Sequence, residues 1–77
     1  MERTFYRDVD RKDTIVVKTQ NKMRLDVFSK GDAKWHETEF DSNYEREVYF
    51  GEGNCCLFDL KEEEALAMLA EWGAPML

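Results

Sequence analysis

The sequence predicts an α+β fold: a small antiparallel meander-like sheet of four to five short strands, with one C-terminal helix packed on one face. Two observations carry this prediction. Segment 59–73 has the apolar spacing of an amphipathic helix, and turn residues divide the chain before it into short β-prone runs. A chain of 77 residues has room for one hydrophobic core, so we expect residues 1–77 to form a single domain.

The first three predicted strands lie before residue 29. Residues 4–7 are a short β-prone run, residues 14–19 are a β-branched run bounded by charges, and residues 22–28 alternate apolar with charged side chains. The alternation predicts that one side of the third run faces the core. Its apolar positions are Met23, Leu25 and Val27.

The next predicted strand runs from Ala33 to about Phe40. Residues 44–50 fit both periods: Tyr44 and Val48 are one helical turn apart, and the same segment also alternates like a strand. An extended conformation is favoured here. Residues 55–58 form a last short apolar strand that leads directly into the helix.

The helix has signals at both ends. Asp59 with Glu62 three residues later fits a capping box, and the glutamates that follow suit the positive end of the helix dipole. A start at Lys61 would place Leu60 opposite Ala65 as a weak hydrophobic staple, but a lysine side chain cannot cap a helix, so Asp59 is preferred. Gly73 and then Pro75 predict the C-terminal end. Its predicted apolar stripe is Leu66, Leu69 and Trp72, with Ala65 and Ala70 beside it.

The net charge of −6 is uneven. Residues 1–39 contain nine Lys/Arg against eight Asp/Glu, a net of +1, and residues 40–77 contain two against nine, a net of −7. A strongly negative half disfavours nucleic acid and anionic membranes and permits a basic protein partner. Basic residues do interleave with aromatic ones in the first strands, but nearby aspartates balance them, so we expect no nucleic-acid partner.

The two cysteines, Cys55 and Cys56, are adjacent, and neighbours on a strand point to opposite faces. We therefore expect two reduced thiols. Neither a signal-peptide pattern nor an apolar run of transmembrane length is present, which predicts a cytoplasmic protein without a membrane partner.

Three patterns in the sequence partly resemble sites of chemistry. His36-Glu37-Thr38-Glu39 lacks the second histidine of a zinc protease motif, because position 40 is Phe40. His36 is the only histidine that could activate a cysteine, and the Gly51-x-Gly53 turn lacks the rest of a phosphate-binding loop. The sequence therefore predicts no catalytic residues, no metal and no cofactor, and a protein that is not an enzyme.

Two hypotheses from different classes remain. The first is a non-catalytic interaction module, with a protein partner or a second copy, because the chain has more aromatics than one covered sheet face can hold. Its candidate surface is Phe5, Tyr6, Phe28, Tyr49 and Phe50. The alternative is an acidic inhibitor or nucleic-acid mimic that binds a basic partner. Its candidate surface is Glu45, Glu47, Glu62, Glu63 and Glu64.

Overall fold

A computed structural model of the chain describes residues 2–39, 42–51 and 57–75. The strands are β1 (Arg3–Asp8), β2 (Thr14–Thr19), β3 (Asp26–Ser29), β4 (Trp35–Glu37) and β5 (Leu57–Leu60); the helices are α1 (Asn43–Glu45), continued by a π-helical segment (Arg46–Phe50), and α2 (Glu62–Glu71). One antiparallel sheet has the strand order β4-β3-β2-β1-β5. A single helix, α2, follows the last strand, which confirms the predicted α+β fold.

The strand order explains the position of the helical segment that lies between β4 and β5. The first four strands form a meander, but β5 pairs with β1 at the far edge, so the chain must cross the sheet between β4 and β5. We call α1 and the π-helical segment together the crossover helix (residues 43–50). The Tyr44 hydroxyl donates to the Asp8 carboxylate at 2.5 Å, and the Lys18 ammonium lies 5.4 Å from the centre of the Tyr49 ring.

Helix α2 covers the opposite face of the sheet, here called the α2 face. Phe5 and Val17 face α2, and along their strands they alternate with Asp8 and Lys18, which contact the crossover helix. Because successive strand residues point to opposite faces, the two helices lie on opposite sides of the sheet. The Phe28 ring stacks on Trp72, with 6.4 Å between the ring centres, and its centre lies 5.3 Å from that of the Trp35 ring. The buried cluster of this face is Phe5, Ile15, Val17, Phe28, Ala65 and Leu69.

The face under the crossover helix, here called the crossover face, has a smaller apolar core. Val16 and Leu25 are fully buried but lie outside the α2-face cluster. Tyr6, Val16 and Val27 are direct neighbours across three strands, so their side chains share this face. The sheet is therefore covered on both sides by the chain's own helices.

The predicted start of α2 is wrong. Asp59 lies in β5, paired with Tyr6, and the N-cap position is Lys61, whose side chain makes no capping bond. Pairing with β1 holds residues 57–60 extended and delays the helix. The predicted end is confirmed, since Gly73 adopts the left-handed φ of 73°. Leu66, predicted in the apolar stripe, is 51% exposed.

The prediction that residues 44–50 are extended is also wrong. The Ser42 hydroxyl accepts a bond from the Glu45 N–H at 3.4 Å, and Gly51 ends the segment with a left-handed φ of 69°. Ser42 is an N-cap and Gly51 is a C-terminal glycine, both typical of helix ends. These flanking residues favour a helix where the periodicity of residues 44–50 fits both a helix and a strand.

Two further strand predictions need correction. β3 begins only at Asp26, because residues 20–24 form a turn with Asn21 at a left-handed φ of 68°. Met23 is therefore 78% exposed and not in the core. β4 spans only Trp35–Glu37, and Ala33 before it also has a positive φ. The predictions for Phe40, Cys55 and Cys56 fall on positions outside the described residues.

Candidate functional site

An apolar groove lies between the turn that precedes β3 and the C-terminal end of the crossover helix. Its volume is about 570 Å³. Met23 is 78% exposed, Phe50 is 69% exposed and Tyr49 is 37% exposed, so three large apolar side chains meet solvent in one place. We call this the crossover groove. Its lining residues are Asn21, Lys22, Met23, Arg24, Glu45, Tyr49 and Phe50.

The local sequence explains why Met23 projects outward. Asn21 tolerates the left-handed conformation better than most residues, and the Lys22 N–H closes the turn on the Thr19 carbonyl at 3.1 Å. The Tyr49 hydroxyl lies 3.4 Å from the carbonyl oxygens of both Lys22 and Met23, which share its single hydrogen. Tyr49 thereby ties the turn to the crossover helix and fixes one wall of the groove against the other.

Phe50 is the last residue of the π-helical segment. The Gly51 N–H bonds to the carbonyls of Arg46 and Glu47, and the chain then leaves the helix. π-Helical turns are rare, and they occur frequently at functional sites. The segment places Tyr49 and Phe50 beside each other at the groove. The Tyr49 hydroxyl contacts the turn, whereas the Phe50 ring is mostly exposed.

An ion pair between a buried carboxylate and a partly exposed guanidinium lines the groove. Glu45 is only 3% exposed, and its carboxylate accepts from Arg24 Nη1 at 3.0 and 3.3 Å. The Thr38 hydroxyl donates to the same carboxylate at 2.5 Å and accepts from the Leu25 N–H at 3.1 Å. This network joins the crossover helix to the turn and to the end of β4.

Lys22 lies at the rim of the groove. Its ammonium contacts Asp26 at 2.8 Å and Glu37 at 3.0 Å. The hydrogen bond to Asp26 is the main cause that raises the pKa of Lys22, and the hydrogen bond to Glu37 adds to it. Lys22 therefore carries a full positive charge at neutral pH. Burial raises the pKa of Tyr49; nearby Glu45 adds to this and Arg24 opposes it. Tyr49 therefore stays a neutral donor.

The predicted aromatic surface divides into three groups. Phe5 and Phe28 are buried in the α2-face cluster and cannot contact a partner, so their inclusion is wrong. Tyr6 is half-buried under the crossover face, where burial, Asp59 and Tyr49 raise its pKa. Tyr49 and Phe50 line the groove. Sequence reasoning missed Met23 as a surface residue, and the available signal was Asn21 two positions earlier, a residue typical of turns.

The predicted acidic surface is divided as well. Glu45 is buried in the ion pair with Arg24, so it is not a surface carboxylate. Glu47 is half-buried and accepts a bond from the Leu57 N–H at 2.8 Å. Only the glutamates of the first turn of α2 are exposed, and they lie on the other helix. The five carboxylates do not form one continuous surface.

Other polar groups have structural partners. His36 is exposed and pairs with Asp32. The buried Asp8 carboxylate, beside a polar cavity of about 460 Å³, accepts from the N–H groups of Asp10 and Arg11 and from the Tyr44 hydroxyl. Within residues 2–39, 42–51 and 57–75, His, Asp and Glu do not come together in groups of three that could hold a metal ion. In the same ranges, none of the helices has the length and apolarity needed to cross a membrane.

Comparison with protein-family models, with curated proteins and with solved structures gave no match to this chain. A functional proposal therefore depends on the chemistry and geometry of the groove.

Proposed function

We propose that the protein is a small non-catalytic interaction module that binds a protein partner through the crossover groove. The observation that carries this proposal is the meeting of Met23, Tyr49 and Phe50 at the surface. Exposed apolar patches on small proteins typically mark interaction sites, and aromatic residues and methionine are enriched at protein interfaces.

The groove is also held in shape before any partner binds. The Tyr49 hydroxyl contacts two carbonyl oxygens of the turn, and the partly buried ion pair of Arg24 with Glu45 joins the same two elements. A surface that is already ordered loses less conformational entropy on binding. This framework supports a binding role for Met23 and Phe50, whose mostly exposed side chains contribute little to the core.

Self-association has weaker support than a different partner. Each sheet face already carries one of the chain's own helices, and the Glu47 carboxylate occupies the Leu57 N–H on the edge strand β5. Edge strands protected in this way are poorer templates for pairing with another chain. The acidic-inhibitor alternative also has less support, because Glu45 and Glu47 are bonded within the molecule.

The test is capture of partners by the tagged protein from a nuclease-treated lysate of its source, quantified by mass spectrometry. Phe50→Ser and Met23→Ser each remove an exposed apolar side chain from the groove, and Leu66→Ser is the control, since Leu66 is also an exposed apolar residue, at 51%, but lies on α2. We expect a partner that wild type and Leu66→Ser retain and that both groove variants lose by at least tenfold. The purified partner should then bind at one to one in calorimetry.

Equal capture by wild type and Phe50→Ser would contradict the proposal. Loss of the partner with Leu66→Ser but not with Phe50→Ser would move the interaction surface to α2. The melting temperature of each variant shows that loss of capture is not loss of folding.

A further inference from the structure

The charges around the crossover groove balance one another. Among the described residues, three basic side chains are matched by three carboxylates: Lys18, Lys22 and Arg24 against Asp26, Glu37 and Glu45. Lys22 is paired with Asp26 and Glu37, and Arg24 is paired with Glu45. Lys18 lies 5.4 Å from the centre of the Tyr49 ring. In the described part of the chain, a charged partner therefore finds no excess of opposite charge at the groove.

A charge brought into the groove would also lose its hydration. The surface that it would meet includes Met23, Tyr49 and Phe50, the large apolar side chains exposed there. Burying an uncompensated charge against apolar surface is costly for a carboxylate and for an ammonium alike. Uncharged apolar groups instead gain from these contacts, because methionine and aromatic side chains attract each other and are enriched at protein interfaces.

The lining also contains an uncharged polar side chain with free hydrogen-bonding capacity. Asn21 is exposed in the turn, and its side-chain amide makes no hydrogen bond within residues 2–39, 42–51 and 57–75. An amide side chain can donate and accept at once, which matches the N–H and C=O groups of a polypeptide backbone. Asn21 therefore favours a polypeptide over a purely apolar occupant such as a lipid chain.

We infer that the groove takes an uncharged segment of another protein, an inference that rests on the function proposed above. An aromatic or aliphatic anchor of this segment packs against Met23 and Phe50, and a backbone amide beside the anchor bonds to the Asn21 side chain. Since opposite charges do not draw the segment in, the anchor supplies most of the affinity and salt has little effect on binding.

The probe is a phage-displayed library of random peptides, selected on the wild-type protein and counter-selected on Phe50→Ser. We expect the recovered peptides to share an aromatic, leucine or methionine anchor with uncharged neighbours. A synthetic consensus peptide is then measured by fluorescence anisotropy. Replacing its anchor by alanine should weaken binding at least about tenfold. Raising the salt concentration from about 0.05 M to about 0.5 M should change Kd by less than about twofold.

Two matched peptides test the charge balance directly. One carries Asp and the other Lys beside the anchor, and each should bind about tenfold more weakly than the consensus peptide, because neither charge finds a free partner. Asn21→Gly tests the amide contact. Glycine keeps the left-handed φ of 68° at this position, so the variant should retain the wild-type melting temperature and bind about fivefold more weakly.

The outcomes that would overturn the inference differ from those that would overturn the proposed function. Tighter binding of the Asp or the Lys peptide, with dependence on Phe50, would reject the uncharged partner and leave the groove as a binding site. Unchanged affinity of Asn21→Gly would reject the amide contact. A dimer in sedimentation that Phe50→Ser abolishes would make a second copy the occupant. If the wild type retains no peptide that Phe50→Ser loses, the groove and the proposed function are both rejected.

Discussion

The two faces of the sheet are covered by different interactions. On the α2 face, Phe28 and its neighbours form a continuous apolar cluster with α2. On the crossover face, much of the attachment is polar: the Arg24–Glu45 ion pair, the bond from Tyr44 to Asp8, and the Tyr49 bonds to the turn. Apolar contacts tolerate small shifts in packing, whereas hydrogen bonds and ion pairs depend on the distance and direction between particular atoms. The crossover helix can therefore expose Phe50 and still be held in place.

The largest expected difference between the faces is in the free energy of unfolding, when one phenylalanine on each face is replaced by alanine. Phe28→Ala removes a fully buried ring that packs with Trp35 and Trp72, and it should lower the free energy of unfolding by about 3–5 kcal/mol. Phe50→Ala removes a ring that is 69% exposed and should change it by less than about 0.5 kcal/mol. Urea denaturation measures both. Similar losses for the two variants would show that Phe50 is part of a core.

A second comparison concerns the buried carboxylate of the crossover face. Glu45→Gln leaves the Arg24 guanidinium without its charged partner, and we expect a loss of about 2 kcal/mol in the free energy of unfolding. The expected loss is smaller than for a fully buried pair, because the Arg24 side chain is 31% exposed. Glu63→Gln, at an exposed position of α2, is the control. No loss for Glu45→Gln would mean that the ion pair does not hold the crossover helix.

The glycines that end the two helices allow a matched test of the backbone. Gly51 and Gly73 have φ of 69° and 73°, and an added Cβ meets no atom within 4 Å at either position. Alanine should therefore cost only the left-handed strain, about 1–2 kcal/mol at each site. Equal losses in denaturation would show that both helix ends are equally fixed. A clearly smaller loss for Gly51→Ala would mean that the π-helical segment has an alternative ending.

The parts of the fold that the sequence predicts well have local signals. The β-branched run of β2 and the glycine after α2 each specify a conformation through nearby residues. Residues 44–50 do not specify one conformation locally, because their spacing fits both a helix and a strand. Only Ser42 and Gly51, at the two ends, distinguish the alternatives. Asp59 was misassigned because pairing with β1, which is distant in sequence, keeps it extended.

The candidate site was harder to predict than the fold. Residue type identified Tyr49 and Phe50 as candidates, but it could not separate them from Phe5 and Phe28, whose burial depends on the register of the sheet. Residue type alone predicts a surface position for Glu45, because its partner Arg24 lies 21 positions away in the sequence. Met23 was assigned to the core by extending an alternating pattern into what is a turn.

The smallest expected effect is at Lys22, and its pH dependence distinguishes an ion pair from simple packing. Lys22→Gln should lower the free energy of unfolding by less than about 1 kcal/mol at pH 7, since the side chain is 37% exposed and solvent screens the pair. Hydrogen bonds to Asp26 and Glu37 raise the pKa of Lys22 above its ordinary 10.5. Its stabilisation is therefore fully present below pH 10.5 and is lost as pH rises through the raised folded-state pKa.

The measurement is urea denaturation of wild type and Lys22→Gln between pH 7 and pH 11.5, with Lys30→Gln as an exposed control. Tyr6 and Tyr49 also have raised pKa values, so both proteins lose stability above pH 10, where the unfolded chain releases these protons more readily. That loss is common to wild type and variant and cancels in their difference. The difference should shrink toward zero at the alkaline end. A difference that stays constant with pH would assign the effect to the aliphatic part of Lys22 and not to its charge.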